Sequence, residues 1–165
     1  MGNFLIKRVV FEIQEELPNI KHFGTLSPIP GFRDWFSYLE DVKIKNILGD
    51  VPIENISFLK SSDLKVGDPR IVANKVAITK LVAHYLMNEK NHKQLPINDV
   101  CRFHLGNGAI IDDIIINANI SEVGLNRSFG VMVNYLYELK NIEKNHEEYI
   151  NNKTIIISDK LKKII

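Results

Sequence analysis

The chain has a single cysteine, Cys101, in 165 residues. That excludes an internal disulfide and a thiolate-built structural zinc site, and it fits a reducing compartment, with the cytoplasm as the expectation. Charge of one sign is not in excess either. Lys and Arg number 21 against 20 Asp and Glu, for a formal charge of +1, so no global footprint for nucleic acid or for a membrane surface is present. No apolar run approaches the roughly 20 residues of a membrane-spanning helix. The apolar opening to Phe11 is interrupted by Lys7 and Arg8 and followed at once by Glu12, Glu15 and Glu16, leaving no adequate signal-peptide core. Ile6 stands where N-myristoylation would need Ser or Thr, and the terminal Lys163-Ile164-Ile165 is not a peroxisomal address. His22, His84, His92 and His146 lack a ligand-like spacing, so no metal is expected. Internal repeats and low-complexity tracts are also missing.

The composition that is present, 45% hydrophobic and 25% charged, suits one domain with a real core over residues 1–165. Phe4, Leu5, Val9, Ile13 and Leu17 recur at helical spacing until Pro18-Asn19 ends the pattern, with only Gly2 and Asn3 available as a cap. His22 to Ser27 reads as a strand, and Phe32 to Leu39 as a helix with Trp35, Phe36 and Leu39 inward. Residues 40–68 read as successive turns. From Arg70 to Glu89 the apolar positions Val72, Val76, Leu81, Ala83, Tyr85 and Leu86 describe one long helix. Asp99 can cap a short helix through Cys101, Phe103 and Leu105, which Gly106-Asn107-Gly108 closes with left-handed residues. Ala109 to Ile116 and Gly130 to Leu139 are β-branched and aromatic, most simply an antiparallel pair joined by a polar segment. Asn141 to Asn151 looks helical, Thr154 to Ile157 a short strand, and Ser158-Asp159 a cap for a last turn.

Two segments carry the chemistry. In Thr25-Leu26-Ser27-Pro28-Ile29-Pro30-Gly31-Phe32 a hydroxyl sits between an extended run and two prolines, each of which fixes its own φ and biases the preceding residue to extended geometry. Ser27 is thereby held in place. In Phe103-His104-Leu105-Gly106-Asn107-Gly108-Ala109 an imidazole stands on the last turn of a short helix. Standing alone, His104 reads first as a structural histidine, and Tyr137 in Val131-Met132-Val133-Asn134-Tyr135-Leu136-Tyr137 first as a strand tyrosine with a satisfied hydroxyl.

Together with Phe4-Leu5-Ile6-Lys7-Arg8-Val9-Val10 and Ile142-Glu143-Lys144-Asn145-His146-Glu147, these segments in this order resemble the malonyl-CoA decarboxylase family, with a likeness that covers nearly the whole chain. The resemblance implies an α/β (α+β) fold, part of a Gcn5-related acetyltransferase-like domain with a mixed sheet flanked by helices. It implies decarboxylation of malonyl-CoA to acetyl-CoA and CO2 without a cofactor, with Ser27 and His104 as the catalytic pair and Tyr137 and Asn134 lining the substrate site. By the same resemblance the chain begins at the helix that receives the CoA pyrophosphate, so that Gly2 and Asn3 would offer backbone N–H groups to it. The family's preceding strands, a site glutamate and an all-helical domain would then precede Met1. An exposed sheet edge left in this way would favour pairing with a complementary upstream fragment or with a second copy. The alternatives are a non-catalytic acyl-CoA-binding or partner-docking role, and a related acyl-CoA enzyme such as a transferase on the same fold.

Losing CO2 from a malonyl thioester leaves an enolate, so a catalyst must orient the carboxylate, stabilise the oxyanion and deliver a proton to carbon. Ser27 can hold the carboxylate. His104 can help orient it or protonate the enolate, and a helix C-terminus favours the imidazolium by about 0.5 to 1 kcal/mol, which would suit an acid. Arg8, Arg33, Arg102 and Lys43 are candidate contacts for CoA phosphates.

Overall fold

The computed structural model describes residues 5–165. The expected cap at Gly2 and Asn3, and Phe4 at the head of the first helix, lie outside the described residues. Helix α1 runs from Leu5 to Glu16. Its buried face is not the expected row through Val9 and Leu17, which are 43% and 53% exposed. Ile6 and buried Val10 meet the core instead. Two apolar rows lie side by side on this helix, and periodicity alone does not rank them.

Strand β1 (Phe23–Pro28) is the edge of a three-stranded sheet ordered β1–β3–β2, where β2 is Ile110–Ile115 and β3 is Met132–Tyr137. Both pairings are antiparallel, with Ser27 opposite Val133, Phe23 opposite Tyr137 and Ile111 opposite Tyr135. The α/β composition is as expected, but the three strands are antiparallel rather than mixed. Parallel character among the described residues is confined to an isolated bridge between Ile111 and Ile157, in place of the short strand expected from Thr154.

A helical layer fills the sequence between β1 and β2. It comprises α2 (Phe32–Ser37), α3 (Asp41–Leu48), a 3-10 segment (Ile53–Lys60), α4 (Pro69–Ala73), α5 (Lys75–Met87) and α6 (Asp99–Gly106). Residues 40–68, expected as turns, are largely helical because Ile44, Leu48, Ile56 and Leu59 all reach the core. The turn signals Gly49-Asp50 and Ser61-Ser62 fall at the ends of these helices. The single long helix expected over Arg70 to Glu89 is broken at Asn74, whose side-chain amide donates to the Arg70 carbonyl at 2.9 Å. Val72 and Val76 are consequently half exposed, whereas Ile78, Leu81, Val82 and Leu86 are buried.

The segment joining β2 to β3 contains a helix, α7 (Glu122–Ser128), whose cap Ser121 accepts from the Gly124 N–H. Helix α8 (Ile142–Asn152) packs on α6. Helix α9 (Asp159–Lys162) is capped by Ser158 as expected and packs on β2. There Asp112, the extra residue of a bulge, and Asp113 both pair with Lys160, at 3.0 and 3.2 Å.

Candidate active site

Ser27 is the fifth residue of β1, 6% exposed. Successive side chains of a strand point to opposite faces. Ser27 therefore shares one face with Val133, Tyr135 and Tyr137, all buried, while Leu26 and Asn134, paired across the register, share the other. The two prolines carry the chain into Gly31 at φ +79°, where a Cβ would stand 2.9 Å from the Tyr85 hydroxyl oxygen. Glycine there serves both the left-handed turn and the close approach.

His104 lies in the last turn of α6. The cap is Asn98 and not Asp99: Asn98 Oδ1 accepts from the Cys101 N–H at 2.8 Å, while the Asp99 carboxylate takes the adjacent Val100 N–H. At the other end of α6, Gly108 (φ +82°) is the left-handed member of Gly106-Asn107-Gly108. A Cβ on Gly108 would fall 2.2 Å from the Ile142 carbonyl oxygen. Helix α8 clamps this terminus from outside, since Asn145 Nδ2 donates to the Gly108 carbonyl at 3.2 Å and His146 Nδ1 to that of Gly106 at 2.7 Å.

These two constructions meet at the side chains. His104 Nε2 stands 3.0 Å from Ser27 Oγ, and His104 Nδ1 stands 2.6 Å from the Tyr137 hydroxyl. A Ser–His–Tyr chain of hydrogen bonds thus crosses residues 77 and 33 positions apart in sequence. Tyr135 stacks on the imidazole at 4.3 Å and 17°, and Phe103 meets it edge-on at 5.2 Å. Ser27 Oγ reaches Thr25 Oγ1 only at 3.4 Å, a long contact.

Burial decides the protonation states. Desolvation pushes the His104 pKa down from 6.5 to about 4. That corresponds to roughly 3 kcal/mol against the imidazolium, several times the helix-end effect of about 0.5 to 1 kcal/mol. Desolvation outweighs the preference of the helix end for the imidazolium, and the imidazole is neutral. The Tyr137 hydroxyl is pushed well above its ordinary value by burial, so it is a phenol that donates. Cys101, buried behind Tyr135, is pushed up to about 12 and is inert as a nucleophile.

The structure does not bring every expected residue here. Asn134 points to the opposite face of the sheet, and its amide donates to Asp112 at 3.0 Å. Gly2 and Asn3 lie outside the described residues. The four candidate phosphate contacts are engaged within the chain: Arg8 with Glu12, Arg33 with Leu125 and Asn126, Arg102 with the Pro96 and Ile97 carbonyls, and Lys43 with Glu89. Among the described residues no group of three or more His, Cys, Asp or Glu side chains is placed to hold a metal ion, and no helix is long and apolar enough to cross a membrane. Sequence reasoning missed the Tyr135 stack and the roles of Asn98 and Tyr85. Asn98 and Asp99 are both good capping residues, so only geometry chooses between them.

A cleft of about 420 Å³ opens between α1 and β1, lined by Ile6, Val9, Val10, Phe23, Thr25 and Tyr137 among others. It is mostly apolar, and two of its walls touch the site directly, since Tyr137 bonds His104 and Thr25 neighbours Ser27.

A family model described as the malonyl-CoA decarboxylase C-terminal domain matches residues 1–165. The mitochondrial malonyl-CoA decarboxylase of Rattus norvegicus is 35% identical over 183 residues, covering 100% of this chain and 37% of the relative. That of Anser anser anser is 35% identical over 179 residues, covering 98% and 35%. Among solved structures, malonyl-CoA decarboxylase from Rhodopseudomonas palustris superposes with a TM-score of 0.87 at 37% identity, over 99% of this chain and 37% of that one. The enzyme from Cupriavidus metallidurans gives 0.81 at 34% identity, over 99% and 43%. The chain therefore spans little more than a third of the length of the curated relatives it matches.

Proposed function

This chain belongs to the malonyl-CoA decarboxylase family, matching its C-terminal domain, and on that premise we propose that residues 1–165 act as one domain that releases CO2 from malonyl-CoA to leave acetyl-CoA. The observation that carries the reading is the 3.0 Å contact between Ser27 and His104, both buried, with Tyr137 bound to the far nitrogen of the imidazole.

The neutral imidazole has one donor and one acceptor nitrogen. With Tyr137 as a phenol, the consistent arrangement is Tyr137 O–H donating to Nδ1 and Nε2–H donating to Ser27 Oγ. The Ser27 hydroxyl proton is then left for the substrate, where it holds the carboxylate out of the thioester plane. The carbon–carbon bond breaks, its electron pair passes into the thioester enolate, and CO2 departs. The enolate carbon takes the Ser27 proton, and the Ser27 oxygen, stabilised meanwhile by Nε2–H, recovers one from water entering by the adjoining cleft, so the imidazole keeps the same tautomer before and after turnover. Each proton is accounted for, one being drawn from solvent per turnover. The thioester carbonyl is the electron sink, so no metal or organic cofactor is required. Apolar walls at Phe23, Val10 and Ile6 suit the uncharged arm of an acyl thioester.

Because the named relatives are longer, the assay has two arms: the chain alone, and the chain with a polypeptide supplying the remainder of a relative. CO2 release from malonyl-CoA in either arm, lost in Ser27→Ala and His104→Asn, supports the reading. Release that does not depend on either residue overturns the role given to the dyad, and none in both arms overturns the reading in favour of an acyl-CoA-binding or partner-docking role, which retained CoA binding would then reveal. Such a complementary polypeptide or a second copy is the partner this reading anticipates, and the cytoplasm its compartment.

A further inference from the structure

Ser27 and His104 approach to 3.0 Å from backbones that belong to different elements, and side-chain bonds join those backbones at one place. The turn after Ser27 is poor in backbone donors, since Pro28 and Pro30 have no N–H. Its handle is an acceptor, the Pro30 carbonyl, which receives Asn98 Nδ2 and the Tyr85 hydroxyl, each at 3.0 Å. The same Asn98 side chain accepts the Cys101 N–H through Oδ1 at 2.8 Å and so caps α6, the helix that carries His104. Asn98 is 2% exposed. Its amide orientation is fixed by its partners, because the oxygen must face an N–H and the nitrogen must face a carbonyl.

Resting on the catalytic reading above, we infer that Asn98 is a positioning residue: one buried amide couples the Ser27 turn to the His104 helix and thereby sets the hydrogen bond between them. A cap alone needs only the oxygen, as Ser or Asp would supply. The nitrogen's bond to the Pro30 carbonyl is what a plain helix cap does not require. Pro30 lies three positions after Ser27 and His104 three positions after Cys101, so the two ends of the bridge are equally distant in sequence from the partners of the dyad.

The test is Asn98→Ser, which keeps a capping oxygen on a side chain too short to reach Pro30, alongside Asn98→Ala and Tyr85→Phe. Malonyl-CoA turnover is measured together with thermal unfolding and the nitrogen-15 imidazole resonances of His104, identified by their loss in His104→Asn. The expected result for Asn98→Ser is a wild-type melting profile, a kcat lower by roughly 10- to 100-fold with KM within about twofold, and a shifted Nε2 resonance. A folded Asn98→Ser with unchanged kcat and unchanged imidazole resonances overturns the inference. If the Asn98 variants do not fold, Tyr85→Phe decides alone, since it leaves the cap intact and removes the other donor on the same carbonyl. A fall in kcat with a shifted resonance sustains the coupling, and no change in either refutes it. Should the assay arms above release no CO2, the decarboxylase reading fails while the imidazole resonances still judge Asn98.

Discussion

The two faces of the sheet are made from the same strands and behave as different materials. On one, Ser27, Val133, Tyr135 and Tyr137 are each at most 6% exposed, and every hydroxyl of the dyad chain has a partner. On the other, Leu26 is 50% and Ile115 36% exposed, and the polar groups Asn134, Asp112 and Asp113 satisfy one another and Lys160. A hydroxyl or an imidazole acquires unusual behaviour only where water is removed from it. Moving one residue along β1, from Ser27 to Leu26, crosses from the region that tunes chemistry to the region that does not.

Substitution is the strongest way to break this contrast. On the buried face, Ser27→Ala or His104→Asn is expected to lower CO2 release by roughly 10²- to 10⁴-fold. Leu26→Thr, one position away on the open face, is expected to leave it within about twofold in the same assay. Stability should divide in the same way. Tyr135→Ala, which removes a fully buried ring stacked on His104, is expected to cost about 3 to 5 kcal/mol by denaturant unfolding, whereas Leu26→Ala should cost under about 1 kcal/mol.

The pH dependence sharpens the comparison. His104 titrates at about 4 when folded and near 6.5 when unfolded. Between those values the unfolded chain binds the additional proton, so stability falls as pH drops from about 6.5 to 4, by up to roughly 3 kcal/mol, and this part of the slope ends below 4. His104→Asn should flatten that window in unfolding curves collected across it. The smallest effect belongs to the open face: Lys160→Met, which breaks exposed pairs with Asp112 and Asp113, should change stability by no more than about 1 kcal/mol, and less in high salt.

Legibility followed the range of the interaction that decides each feature. The Ser27 turn could be read directly because prolines and Gly31 act on their own dihedral angles. The antiparallel pairing of β2 with β3 was visible in β-branched runs, and the caps at Ser158 and the stop after α1 in local chemistry. Reading failed where two local solutions were nearly equal. Asn98 and Asp99 are both caps; Ile6–Val10 and Val9–Ile13 are both apolar rows; Asn74 interrupts a periodicity that looks continuous from Arg70 to Glu89. Asn134 was grouped with Tyr137 by a shared motif, and strand alternation sent them to opposite faces.

Sequence alone settled which residue types could do the chemistry and which backbone would hold them, because proline, glycine, β-branching and capping preferences act over a few bonds. Only the tertiary structure decided that Ser27 and His104 touch, that one asparagine joins the segments bearing them, and that the imidazole is neutral. Those outcomes depend on desolvation and on contacts between residues distant along the chain, and such contacts exist only after strands and helices have packed.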